Sequence, residues 1–116
     1  MNNTEKRIEF FRRYCHFYLV ARLHGIELLP YCFHRSRADQ HHLYLKGLSK
    51  CDGLSKDSNH QHWLAIDAVV VNKDGSLCWD GSDDRYKTLA TIAESVGLAT
   101  GFEYNDANHT EWKDKV

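Results

Sequence analysis

The chain has 116 residues, enough for one hydrophobic core and too few for two, so a single domain spanning 1–116 is expected. Apolar residues at 42% and charged residues at 27% are ordinary for a soluble globular protein, and a net charge of −1 argues against a nucleic-acid partner. No apolar run approaches the roughly 20 residues of a membrane helix, and the charges scattered through residues 1–14 do not suit a signal peptide, so cytoplasmic synthesis is expected.

Along the chain the pattern is mixed α and β. Over residues 4–24 two apolar sets recur at helical spacing, Ile8-Phe11-Cys15-Tyr18 and Phe10-Tyr14-Phe17-Ala21. They predict a broad-faced helix capped by Asn3 or Thr4 and ended by Gly25. Residues 26–29 read as a short strand stopped by Pro30, the only proline. A second helix follows over 37–46, with Gly47 as its stop. Residues 47–59 are polar and glycine-punctuated, a loop that delivers Ser58 and His60. Residues 64–71 form the strongest strand pattern, and 72–75 a turn into 76–79. Asp83 or Asp84 caps a helix to Val96, ended by Gly97. Residues 102–104 and 110–112 are candidate strands around a loop at 106–109. The cysteines at 15, 32, 51 and 78 lack CxxC spacing; Cys15 and Cys78 are expected to be buried thiols.

The chemistry concentrates in Ser58-Asn59-His60-Gln61-His62-Trp63-Leu64-Ala65-Ile66-Asp67 and Asp106-Ala107-Asn108-His109. His60, Asp67 and His109 are natural ligands for one Zn²⁺ with a position left for water, and Asp106 is placed to serve as its base. On a strand Asp67 shares its face with Ala65 and Val69, while Leu64, Ile66, Ala68 and Val70 face the other way. A carboxylate in so apolar a strand is costly unless it is paired or holds a metal. His60 lies an odd seven positions earlier, so it must curl back from the loop; His62 competes with it as a ligand. D-x-x-H alone is weak evidence, since Asp39–His42 and Asp57–His60 repeat it. A structural zinc site closed by His62 and an inactive zinc-containing binding module stay open on these residues alone.

The composite is more specific than its pieces. Ser58, His60, Ala65 and Asp67 match S-x-H-x-x-x-x-A-x-D, and Asp106 and His109 match a closing D-x-x-H. Arg35 stands five residues before Gln40, and Gly47-Leu48-Ser49 gives G-x-S ahead of the metal loop. Over residues 8–112 the chain thereby resembles the peptidoglycan peptidases that include D-alanyl-D-alanine carboxypeptidases and phage L-alanyl-D-glutamate endolysins (the M15 peptidases). The resemblance implies an α+β fold, a small and mainly antiparallel sheet flanked by helices, with zinc on the open face of the sheet.

It also implies a monomeric zinc peptidase acting on the stem peptide of the cell wall after release, with no membrane or nucleic-acid partner. His60, Asp67 and His109 would hold Zn²⁺, and Asp106 would act as general base and then general acid. Arg35 would stabilise the oxyanion or hold a substrate carboxylate, while Arg37 reads as a solvated helix-start residue. Ser58 would bond within the metal loop or to substrate. The Leu64-Ala65-Ile66-Asp67, Asn72-Lys73-Asp74-Gly75 and Asp106-Ala107-Asn108-His109 stretches are phage-like and favour L-alanyl-D-glutamate cleavage over D-alanyl-D-alanine carboxypeptidase action. Trp63 stands where the family has glycine or arginine, so it is expected to narrow the cleft or form a wall for substrate. Thr100-Gly101-Phe102 is a reduced form of the usual Gly-Gly-x-Trp/Phe.

Overall fold

A computed structural model describes residues 1–113. The fold is α+β: three helices and a small sheet in which every strand pairing is antiparallel. Helix α1 (Asn3–Leu23) leads to β1 (Glu27–Cys32) and α2 (Arg37–Leu45); a 3-10 turn (Asn59–His62) precedes β2 (Ala65–Val71) and β3 (Leu77–Cys78). Then come α3 (Asp84–Ser95), β4 (Leu98–Gly101), a second 3-10 turn (Phe102–Tyr104) and β5 (Asp106–Trp112). The sheet order is β1-β2-β5-β4, with β3 beside the far end of β2. No described helix is long and apolar enough to cross a membrane.

Alternation along β2 divides the molecule into two faces. Leu64, Ile66, Ala68 and Val70 meet Phe10, Tyr14, Phe17 and Ala21 of α1 and Tyr86, Leu89, Ile92 and Ala93 of α3 in one core. Each large side chain removed from water there contributes roughly 1.5–3 kcal/mol. Tyr86 ties α3 to the β2–β3 hairpin: its hydroxyl accepts from the Val70 N–H at 3.0 Å and donates to the Cys78 carbonyl at 2.6 Å. The opposite face, carrying Ala65, Asp67 and Val69, is left for the site.

The structure corrects several expectations. Only the Phe10 set of α1 is buried; Ile8 (55% exposed), Phe11 (53%) and Cys15 lie outside, because one helix can turn only one stripe towards the sheet. Cys78 is only partly buried. The cap of α1 is Asn2, whose side chain accepts from the Glu5 N–H at 2.8 Å. Strand β1 continues through Pro30 to Cys32, since an edge strand has N–H positions that need no partner. Residues 102–104 form a 3-10 turn rather than a strand, and residues 106–109 belong to β5 rather than a loop. Strand β4, at four residues, is too short to show an alternation in sequence.

Candidate metal centre

Three neighbouring strands converge on Asp67. In register, Asp67 lies between Cys32 of β1 and His109 of β5. His60 comes back over the strand from the 3-10 turn, which Ser58 and Gln61 close as a reciprocal cap: the Ser58 hydroxyl accepts from the His60 N–H at 3.0 Å, and the Gln61 side chain accepts from the Ser58 N–H at 2.9 Å. Ser58 is therefore engaged within the metal loop. Asp106 enters at the start of β5 beside Gly101, where an added Cβ would stand 2.5 Å from the Asp106 carbonyl oxygen. Only glycine permits that approach.

One carboxylate oxygen takes both histidines. His60 Nε2 lies 3.1 Å and His109 Nδ1 3.0 Å from Asp67 Oδ1. Each ring has an acceptor at its other nitrogen: the Phe33 carbonyl lies 3.3 Å from His60 Nδ1, and Glu111 Oε1 lies 3.5 Å from His109 Nε2. Protons held at those outer nitrogens would leave the inner lone pairs free for a metal, the arrangement that outer partners give metal-binding histidines. Neighbouring N and O ligands of a tetrahedral zinc stand about 3.3 Å apart, close to the separations found here. Both separations from Asp67 Oδ1 are thus those of neighbouring ligands around one ion. Without metal the same nearness favours protons: burial opposes charge on His109, yet its bonds to Asp67 and Glu111 raise its pKa to about 10. Burial likewise opposes ionisation of Asp67, and the two histidines overcome it, holding the carboxyl below the usual range.

The upstream motifs meet the same carboxylate. Arg35 Nη2 lies 3.5 Å from Asp67 Oδ2, and its Nη1 donates to Gln40 Oε1 at 2.8 Å. Gln40, fully buried, donates in turn to Ser49 Oγ and the Cys51 carbonyl, both at 2.7 Å. Arginine, glutamine and the G-x-S serine form one chain of bonds behind the site. Arg37 reaches instead the Gly53 carbonyl at 3.3 Å, outside the cluster. His62, the rival ligand, pairs with Asp57 at 3.1 Å, and both side chains are 43% exposed.

Partial burial raises the pKa of Asp106; His109, His60 and Arg35 oppose that rise and Asp67 adds to it. Asp106, exposed at the start of β5, is thus coupled electrostatically to all four. Trp63 closes the 3-10 turn that carries His60. Its φ of 61° is left-handed, a conformation natural to the glycine of the family pattern, and its ring packs on Phe33, His34 and Arg7.

Cys32 and Glu111 border the same cluster. Cys32, His60 and Asp67 offer ligand atoms all within 4.8 Å of one another, a group able to hold a metal ion. Cys32 Sγ, however, lies 3.9 Å from the outer His60 nitrogen, and burial pushes its thiol pKa up, so it is a poor thiolate donor. The signal for Glu111 was present: two residues past His109 on a strand, it shares that face. Asn59 donates to its other oxygen. Glu111→Gln is expected to weaken zinc binding about 10- to 100-fold, measurable by competition with a chelator.

No family model matches the sequence, and no curated protein does. Among solved structures, the chain is similar to the L-Ala D-Glu endopeptidase ChiX of Serratia marcescens. The match has a TM-score of 0.60 at 23% identity and covers 75% of this chain and 67% of the other. The two chains share a fold.

Proposed function

We propose that this chain is a zinc-dependent peptidoglycan peptidase that cleaves the stem peptide between L-Ala and D-Glu. The observation that carries the reading is the convergence of two histidine nitrogens on one Asp67 oxygen, with Arg35 beside it and Asp106 coupled to the group by charge. The fold shared with an endopeptidase of that specificity, and the motif order in sequence, support it. His60 Nε2, Asp67 Oδ1 and His109 Nδ1 would hold the metal. Zinc so held supplies Lewis acidity, bringing the pKa of a bound water from near 16 towards about 7.

The remaining work falls to the chain's own residues. Asp106 accepts a proton from the attacking water and returns it to the leaving amine, so its carboxylate must be ionised at the start of each cycle. Arg35, held by Gln40, presents its second Nη to the reacting region and stabilises negative charge there or a substrate carboxylate.

Mass spectrometry of products from defined muropeptides tests the assignment. Separation of L-Ala from D-Glu, abolished by a chelator and restored by zinc, is expected. Release of only a terminal D-Ala would instead make the protein a carboxypeptidase.

Arg35→Lys is expected to keep fold and zinc while lowering kcat about 10- to 100-fold, because a point charge cannot serve Gln40 and a second partner as a planar fork does. Arg37→Lys is the control and should be nearly silent. Equal turnover of the two variants on a muropeptide would remove Arg35 from the mechanism.

A further inference from the structure

Two exposed aromatic rings stand next to the D-x-x-H segment with no role in holding the metal group. Tyr31 (50% exposed) and Trp79 (60%) meet edge to face, with ring centroids 5.6 Å apart. The Tyr31 hydroxyl accepts from the Asn108 side chain at 3.3 Å, and the fields of Asp67 and Asp106 both reach it. Trp79 leads directly into Asp80-Gly81-Ser82, which with Phe102, Asn105 and Ala107 lines a cleft of about 440 Å³. Asn105 and Ala107 of this lining flank Asp106 in the chain.

The chemistry of this cleft is specific in sign. Its lining has a carboxylate, a hydroxyl and an amide but no lysine or arginine. Asp80 is fixed as an acceptor, since the Ser82 N–H and hydroxyl donate to its Oδ1 at 3.0 and 2.6 Å. An anionic group is therefore disfavoured there, and a neutral one rich in hydroxyl and amide donors is favoured. The cation of the site, Arg35, is bonded to Gln40 and Asp67 and is not part of this lining. A flat aromatic face beside fixed polar acceptors suits a sugar ring, whose C–H faces pack on aromatics while its hydroxyls bond at the edge.

Resting on the peptidase reading above, we propose that Tyr31, Trp79 and the adjoining cleft bind the N-acetylmuramyl sugar that precedes the stem peptide. In the cell wall the lactyl carboxyl of that sugar is consumed in the amide to L-Ala, so the sugar end is uncharged, as the cleft requires. The ring lies only a lactyl group and L-Ala from the bond cleaved, on the order of 7 Å of extended chain, compatible with a subsite whose wall includes the neighbours of Asp106. D-Glu, with its free carboxylate, is left on the Arg35 side. The enzyme is then selective for glycan-linked peptide rather than for free peptide.

The zinc-loaded protein and its Trp79→Ala variant decide this with two substrates, N-acetylmuramyl-L-Ala-γ-D-Glu-L-Lys and the sugar-free N-acetyl-L-Ala-γ-D-Glu-L-Lys. The wild type is expected to show kcat/KM on the order of tenfold higher for the muramyl substrate, expressed in KM. Trp79→Ala should erase that preference and leave the sugar-free substrate unchanged; thermal melting should show the fold intact. Cleavage of both substrates with equal efficiency would overturn the sugar subsite and leave the peptidase reading standing. Cleavage of neither would overturn the peptidase reading. Calorimetric titration with N-acetylmuramyl-L-alanine then judges the subsite directly: binding lost in Trp79→Ala supports it, and no binding to the wild type overturns it.

Discussion

Alanine at His60, Asp67 or His109 is expected to strip zinc from the protein, with affinity falling by more than the roughly 100-fold reached when only an outer partner is lost. Three ligands cannot become two without opening the site to competing water, and activity should vanish with the metal. Asp67 is the sharpest test because both histidine nitrogens converge on its Oδ1. Its removal also leaves Arg35 without its carboxylate, so Asp67→Asn, which keeps the shape, is the companion variant. His62→Ala should retain full zinc, since His62 is tied to Asp57 on the surface. Metal analysis showing a full complement in both Asp67 variants would sink the ligand assignment. Loss of zinc from His62→Ala would move the ligand pair to His60 and His62.

Much of this site was legible because its residues carry chemistry that an apolar strand does not tolerate idly. Asp67 between Ile66 and Ala68 demanded a partner, and alternation along β2 correctly placed it on the face opposite the core. The odd offset of His60 required a return from the loop, which the capped 3-10 turn provides. What sequence did not reveal is cross-strand register. Cys32 reaches Asp67 only because β1 passes through Pro30 and its register shifts between Pro30 and Cys32. Tyr31 and Trp79 lie 48 positions apart and meet only through the β1–β2–β3 pairings (79 − 31). The second apolar stripe of α1 misled for a related reason: helical spacing shows that a face exists, and tertiary packing chooses which face is buried.

Asp106→Asn should separate metal binding from chemistry. The substitution keeps size and hydrogen-bonding reach but removes the ability to take a proton, while His60, Asp67 and His109 are untouched. Zinc content near that of the wild type is expected, with kcat lowered about 10²- to 10⁴-fold, the range for loss of a positioned base. Asp106→Glu, which preserves the carboxylate one methylene further out, should recover part of the loss. The pH profile adds an independent readout. Burial raises the pKa of Asp106, so its working, ionised form is lost at a higher pH than for an ordinary aspartate. The acidic limb of kcat/KM should therefore lie above that of an ordinary aspartate, activity should fall as pH drops through it, and Asp106→Asn should lack that limb. Wild-type turnover in Asp106→Asn would pass the role to another carboxylate, with Glu103 and Glu111 next to test. Absence of zinc from Asp106→Asn would instead make Asp106 a fourth ligand. The site would then have no place for water, and the zinc would be structural.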